Sequence, residues 1–158
     1  MADRRVAMAI EHWGARFIAN GVDQADFKRV TSTITGWDGW CAAWCRAAAE
    51  HEDLGRRALG DGRCLSGGSH LAQAAVYYHF AKFLFVQDLA QLREAHNAAV
   101  RCLNDALPHL SPPGERVEIP FDGAMLAGIL RLAMNHNSGT RNTTPIARPS
   151  RRWTYSQP

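Results

Sequence analysis

The sequence predicts a mainly α-helical protein, with a bundle of about five helices in residues 1–113, one β-hairpin in residues 114–131 and a disordered tail in residues 132–158. Apolar residues recur at helical spacing through most of the first segment. In the second segment, apolar and polar residues alternate on either side of Asp122-Gly123. The third segment has neither period and is rich in Asn, Thr, Arg, Pro and Ser, a composition typical of disorder.

An Asn-Gly pair separates the first two predicted helices. We predict the first helix over about Asp3 to Ala19, because Gly21 can adopt the left-handed conformation that ends a helix. The second helix begins near Asp23 or Gln24 and ends before Gly36. Its apolar residues can share one face at helical spacing, and they are Val22, Phe27, Val30 and Ile34.

A stripe of tryptophans marks the third predicted helix. Trp37, Trp40 and Trp44 are spaced so that they share one helical face. Asp38 is a candidate N-cap, and Gly60-Asp61-Gly62 ends the helix. Because large rings dominate packing energy, we interpret the stripe as part of the core. The alternative is a groove wall or a surface that docks on another domain.

Aromatic residues crowd the fourth predicted helix, which runs from about Ser69 to Val86 with Ser69 as its N-cap. Five rings fall on nearly every side around His79, and they belong to Tyr77, Tyr78, Phe80, Phe83 and Phe85. A surface helix shows one apolar stripe. We therefore expect one ring face to pack on neighbouring helices and the other to require a further surface that covers it. The fifth helix covers about Leu89 to Leu107 and is ended by Pro108.

The stretch ERVEIPFDGAMLAGILR predicts the β-hairpin. An Asp-Gly pair between two apolar runs favours a type I′ turn, which needs two residues that tolerate positive φ. The apolar positions are Val117, Ile119 and Phe121 before the turn, and Met125 or Leu126, Ile129 and Leu130 after it. A lone hairpin is marginally stable in water, so this one needs further strands or a helix to pack against.

Charge and hydropathy argue against two classes of partner. Residues 1–131 carry 14 Lys and Arg against 15 Asp and Glu, so this near-neutral body lacks the clustered cations that nucleic-acid binding requires. The N-terminal stretch is amphipathic and charged, and no apolar run approaches the roughly 20 residues of a membrane span. We therefore predict a cytoplasmic protein that binds neither nucleic acid nor membrane.

Motifs for catalysis and metal binding are weak. The nearest match to a G-x-S-x-G nucleophile elbow is GGSHL, where Leu71 replaces the last glycine. His51 stands among acidic neighbours, and we interpret it as part of a solvated charged helix face. The cysteines form no C-x-x-C pair and are interpreted as reduced thiols, at Cys41, Cys45, Cys64 and Cys102. We therefore predict no catalytic, cofactor-binding or metal-binding residue.

Four residues are candidates for a ligand pocket or a domain-docking surface. His79 is surrounded by rings in the sequence, so it is either a partly buried structural histidine or a wall residue of a pocket. Aromatic side chains with a few polar groups are typical of pocket walls. The full set of candidates is His79, Tyr78, Phe83 and Trp40.

Four stretches carry a resemblance to a known family, and they are GVDQADFKRVTSTITGWDGWCAAW, RRALGDGRCLSGGSHLAQAAVYYHFAKFLF, AHNAAVRCLNDALPHLSPPGERVEIPF and DGAMLAGILR. Together they resemble the helical N-terminal region of α/β-hydrolases of the 2,6-dihydroxypseudooxynicotine hydrolase type, which are related to FrsA-like esterases. The resemblance implies a helical cap beside a catalytic domain whose sheet begins with the hairpin. It also implies a family reaction at esters or at carbon–carbon bonds next to a ketone.

The resemblance further implies that the nucleophile, the triad Asp and His and the oxyanion loop follow the hairpin, whereas residues after Arg131 read LAMNHNSGTRNTTP here. We expect a truncated cap region that is inactive alone. Its uncovered surface would meet the missing catalytic domain, another partner surface or a second copy in a homodimer. A frameshift or mistaken gene end near Leu132 is our hypothesis for the change. The alternative is a stand-alone helical module that binds a protein or a small ligand.

Overall fold

Five α-helices and one antiparallel hairpin make up the computed structural model, which describes residues 3–132. The helices are α1 (Arg4–Ala19), α2 (Gln24–Ser32), α3 (Trp40–Gly60), α4 (Cys64–Lys82) and α5 (Leu89–Ala106), and the strands are β1 (Gly114–Phe121) and β2 (Ala124–Arg131). The predicted mainly helical fold with one hairpin is confirmed. Apart from Leu132, the predicted tail lies outside the described residues. The division of the chain into domains stays a prediction.

Aspartates begin three of the helices. The carboxylates of Asp3, Asp23 and Asp88 cap α1, α2 and α5 by accepting hydrogen bonds from backbone N–H groups of the first turn, at 2.8–2.9 Å. The predicted cap at Asp38 is wrong. A 3₁₀ turn at Trp37–Gly39 precedes α3, and Asp38 is the central residue of that turn.

The start of α4 also differs from the prediction, because the helix begins at Cys64 rather than near Ser69. Gly67 and Gly68 lie inside the helix, where they permit close packing instead of forming a loop. A Cβ on Gly67 would lie 2.5 Å from a methyl carbon of Leu59, and one on Gly68 would lie 2.8 Å from the carbonyl oxygen of His109. Ser69 is therefore not an N-cap.

An aromatic core holds the first four helices together. Phe17 of α1 stacks on Phe80 of α4 at a centroid distance of 3.9 Å, and Trp37 stacks on Trp40 at 5.1 Å. The largest fully buried side chains are Trp40, Trp44, Tyr77, Phe17, Phe85, Leu71, Cys41 and Cys102. The core role predicted for the tryptophan stripe is confirmed.

The uncovered ring face expected on α4 is absent from the described part of the chain. Tyr77, Tyr78, Phe80 and Phe85 are buried, and Phe83 is half-buried. The physical reason is that α4 packs against both α3 and α5, while α1 contacts it through the Phe17–Phe80 stack. A helix enclosed on several sides carries apolar residues all round.

The hairpin has the turn that the sequence predicts. Asp122 and Gly123 both have positive φ, at 47° and 75°, as a type I′ turn requires. The register pairs Ile119 with Leu126 and Phe121 with Ala124. At the open end, the Arg131 guanidinium donates a 2.7 Å hydrogen bond to the carbonyl of Pro112, just before β1. The end of β2 therefore lies beside the point where the chain leaves the helical bundle and enters β1.

Candidate functional site

One face of the hairpin forms an apolar surface. Directly opposed residues of antiparallel strands project to the same side of a sheet. The observed register therefore brings together a set that we call the apolar hairpin face, made of Val117, Ile119, Phe121, Leu126 and Leu130. Ile119 is 51% exposed, Phe121 65% and Leu126 50%. Contiguous exposed apolar surface of this kind typically marks an interaction site.

The opposite face of the hairpin is mixed. Arg116 and Glu118 form an ion pair there at 3.7 Å, close to exposed Met125 and Ile129. Within residues 3–132, no further strand pairs with the hairpin, and Leu107 approaches only its base at Gly114. The hairpin is consequently a two-stranded sheet with apolar side chains in contact with water on both sides.

A groove of about 400 Å³ lies between α4 and α5. His79 stands at its wall, and the remaining wall is mainly aliphatic, with Val76, Val100 and Leu103 among the contributors. His79 is exposed overall, while its ring stacks on Phe83 at a centroid distance of 5.9 Å. Partial desolvation, together with the nearby positive charge of Lys82, lowers the pKa of His79 below its ordinary value.

Tyr78 lies on the other side of α4, where it lines a second groove with Cys41 and Cys45. Its hydroxyl donates a 3.0 Å hydrogen bond to Oε2 of Glu52. Burial and this bond raise the pKa of Tyr78. Burial tends to raise the pKa of Glu52, but the hydrogen bonds from Arg56 and Tyr78 lower it below its ordinary value. A neutral phenol therefore faces a charged carboxylate at this position.

The other two candidates, Phe83 and Trp40, lie in different surroundings. Phe83 is half-buried against Trp13, with ring centroids 5.2 Å apart in an edge-to-face arrangement. Trp40 is fully buried, and its indole N–H donates a 3.3 Å hydrogen bond to the carbonyl of Phe80. His79 and Phe83 are thus in contact, Tyr78 lines a different groove, and Trp40 belongs to the core. A pocket or docking role for these residues stays a prediction.

A polar cluster at the meeting point of α2, α3 and α4 was not predicted from the sequence. His51 is not on a solvated face, because its side chain is only 19% exposed and its Nδ1 lies 3.2 Å from Nδ1 of His70. The hydroxyl of Tyr77 donates a 2.7 Å hydrogen bond to Oδ2 of Asp26, and His51 Nε2 lies 3.5 Å from the same oxygen. The one available signal was Tyr77, since a buried phenol needs a partner.

The described residues offer little for hydrolytic chemistry. Ser69, the nearest match to an elbow nucleophile, lies within α4 rather than on a strand–turn–helix.

In residues 3–132, no group of three or more His, Cys, Asp or Glu side chains is placed to hold a metal ion. Across the same residues, none of the helices has the length and apolarity to span a membrane.

Comparison with known proteins finds that much of this chain is similar to a hydrolase. No family model matches the chain. A 2,6-dihydropseudooxynicotine hydrolase from Paenarthrobacter nicotinovorans is 32% identical over 124 residues, which is 77% of this chain. The chain is related to this hydrolase family. The crystal structure of the 2,6-dihydroxy-pseudo-oxynicotine hydrolase superimposes with a TM-score of 0.66 at 30% identity over 78% of this chain.

The relation to the hydrolase covers only part of that protein. The matched region amounts to 32% of the curated hydrolase and to 34% of the crystallised hydrolase chain. This chain therefore spans about a third of the length of the hydrolases that it matches.

Proposed function

We propose that residues 1–113 are the helical cap region of an α/β-fold hydrolase, and that β1 and β2 begin the sheet of its catalytic domain. The single observation that carries the proposal is the apolar hairpin face. A two-stranded sheet with exposed apolar side chains is marginally stable alone, and additional strands would extend it and cover it. The relation to the hydrolase family supports the same assignment.

In this proposal the catalytic residues come from outside the described part of the chain. Acyl-transfer chemistry needs a nucleophile, a base and an orienting acid within hydrogen-bond reach, together with oxyanion donors. The helices would contribute a wall over the substrate, and the chain by itself would not turn over substrate. Hydrolysis at an ester, or at a carbon–carbon bond next to a ketone, is the reaction class that we assign to the whole enzyme.

Complementation tests the proposal. The part of the Paenarthrobacter nicotinovorans hydrolase that this chain does not match would be produced alone and mixed with purified chain. We expect the two to co-elute in size-exclusion chromatography and the mixture to hydrolyse p-nitrophenyl esters, while each component alone does not. Failure to co-elute at micromolar concentrations contradicts the proposal, as does equal ester turnover by the isolated chain.

Two substitutions sharpen this test. Phe121→Ser removes an exposed ring from the apolar hairpin face, and we expect it to abolish co-elution. Val86→Ser is the matched control, because Val86 is an exposed apolar residue outside the hairpin, 72% exposed against 65% for Phe121. Loss of co-elution in both variants, or in neither, would show that the hairpin is not the docking element.

A second candidate function is a stand-alone helical module that binds an apolar ligand in the groove between α4 and α5. The observation that favours it is the aliphatic wall around His79. Titration with aromatic ketones, followed by tryptophan fluorescence, tests this alternative, because Trp13 contacts Phe83 next to His79. A saturable change that His79→Ala removes would favour this function over the cap assignment.

A further inference from the structure

Two imidazole rings face each other across the contact between α3 and α4. Nδ1 of His51 and Nδ1 of His70 are 3.2 Å apart, whereas the ring centroids are 5.5 Å apart. The nitrogens therefore lie on the facing sides of the two rings. Both side chains are half-buried, so the pair is held by packing but remains in reach of solvent.

This nitrogen separation suits a shared metal ion. Zinc–imidazole bonds of 2.0–2.1 Å at a tetrahedral angle place the two ligand nitrogens about 3.3 Å apart. The observed 3.2 Å is also the length of an N–H···N hydrogen bond. The two nitrogens are thus at the separation that either a shared proton or a shared metal ion requires.

The surroundings of His51 support the same role. Its second nitrogen, Nε2, lies 3.5 Å from Oδ2 of Asp26. Asp26 is itself held by the Tyr77 hydroxyl at 2.7 Å and by the Arg29 guanidinium at 2.9 Å. A metal-bound histidine commonly donates its other N–H to a carboxylate, which fixes the tautomer and leaves the facing nitrogen as the ligand. Asp26 therefore orients His51 toward His70.

We propose that His51 and His70 bind a divalent ion of the Zn²⁺, Ni²⁺ or Cu²⁺ class between α3 and α4. Neutral imidazole nitrogens are preferred ligands of these ions. Because no third His, Cys, Asp or Glu in residues 3–132 is placed to share the ion, water completes the coordination. The site is consequently exchangeable, and its occupation cross-links two neighbouring helices.

Calorimetric titration of the untagged chain with Zn²⁺ tests the proposal. We expect one Zn²⁺ per chain, loss of that binding in His51→Ala and in His70→Ala, and unchanged binding in His12→Ala, where an exposed histidine is removed elsewhere. Asp26→Asn should weaken Zn²⁺ about 10- to 100-fold, the usual effect of removing an outer carboxylate. Equal Zn²⁺ affinity in wild type and in the double variant His51→Ala/His70→Ala overturns the proposal.

A measurement on the unchanged chain protects against variants that fail to fold. Pulsed electron paramagnetic resonance of the Cu²⁺-loaded protein reports how many imidazoles lie in the equatorial plane of the ion. We expect two. One imidazole, or none, would mean that the ion binds elsewhere and that the two rings only share a proton.

Discussion

The hydroxyl of Tyr77 donates a 2.7 Å hydrogen bond to Oδ2 of Asp26, and this bond joins α4 to α2. The Tyr77 ring is fully buried, and the same hydroxyl accepts the backbone N–H of Asp23 at 3.3 Å. Two helices are therefore tied together by one phenol oxygen inside the bundle.

Removing that oxygen should destabilise the protein. Tyr77→Phe keeps the ring packing but leaves the Asp26 carboxylate without its shortest hydrogen bond, so we expect a loss of about 1–3 kcal/mol in the free energy of unfolding. Urea denaturation measures it. In a double-mutant cycle with Asp26→Asn, the two losses should be strongly non-additive. Strict additivity would mean that the bond does not contribute.

Close helix packing makes a different prediction at Gly68. A Cβ there would lie 2.8 Å from the carbonyl oxygen of His109, so Gly68→Ala should cost about 1–3 kcal/mol, as overpacking usually does. Gly60→Ala is the control, because a Cβ at that helical position meets nothing within 4 Å. The control should be neutral or slightly stabilising, since alanine favours helix. Equal melting temperatures for both variants would refute the packing argument.

The two central tryptophans should respond differently to the loss of the indole nitrogen. Trp40 Nε1 donates to the carbonyl of Phe80, whereas Trp44 Nε1 is buried and has no hydrogen-bond partner among residues 3–132. Both replacements by phenylalanine create a cavity, but only Trp40→Phe also breaks a hydrogen bond. We expect Trp40→Phe to lower the unfolding free energy by about 1 kcal/mol more than Trp44→Phe. Thermal and urea unfolding of the pair provide the measurement.

Stability should fall in acid because two half-buried carboxylates are held in their charged form. Burial tends to raise the pKa of Glu52, but hydrogen bonds from Arg56 and Tyr78 lower it. Burial also tends to raise the pKa of Asp26, and the hydrogen bond from Tyr77 lowers that pKa. A pKa that is lower in the folded state than in the unfolded state stabilises the fold above the unfolded value. That stabilisation is lost as the pH falls below the ordinary values of 4.5 and 3.8.

The measurement is urea unfolding between pH 7 and pH 3. The wild-type free energy should decline below about pH 4.5, and Glu52→Gln should flatten part of that decline. A free energy that rises on acidification over this range would contradict the assignment of charged carboxylates.

The apolar hairpin face should make the isolated chain self-associate. Phe121→Ser replaces a ring that is 65% exposed, so we expect weaker binding of a hydrophobic dye and a smaller sedimentation coefficient at high concentration. Unfolding stability should remain within about 0.5 kcal/mol, as for other surface substitutions. A wild-type sedimentation coefficient that stays at the monomer value at every concentration would argue against self-association through the apolar hairpin face.

Local signals predicted much of this fold. Asp122-Gly123 specified the hairpin because two adjacent residues with positive φ suffice for the turn. The start of α2 was predicted near Asp23 or Gln24, and the Asp23 carboxylate caps the helix there within its own first turn. The tryptophan stripe indicated core because large rings that share one helical face gain most free energy when they are buried together.

Contacts between distant residues could not be predicted in this way. Gly67-Gly68 signals a loop in isolation, yet the absence of a side chain serves helix packing once Leu59 and His109 arrive from elsewhere. The rings of α4 suggested an uncovered face because the sequence does not say how many neighbours a helix has. His51 and His70 are 19 residues apart and meet only after α3 and α4 pack.

The bond from Arg131 to the carbonyl of Pro112 has a consequence for protein engineering. The two ends of the hairpin meet, so the segment between Pro112 and Arg131 can be exchanged as a unit without altering the chain that precedes it. A short glycine-containing bridge in its place should leave the bundle unchanged. The same position would also accept a foreign hairpin, which makes the helices a scaffold for grafted strands.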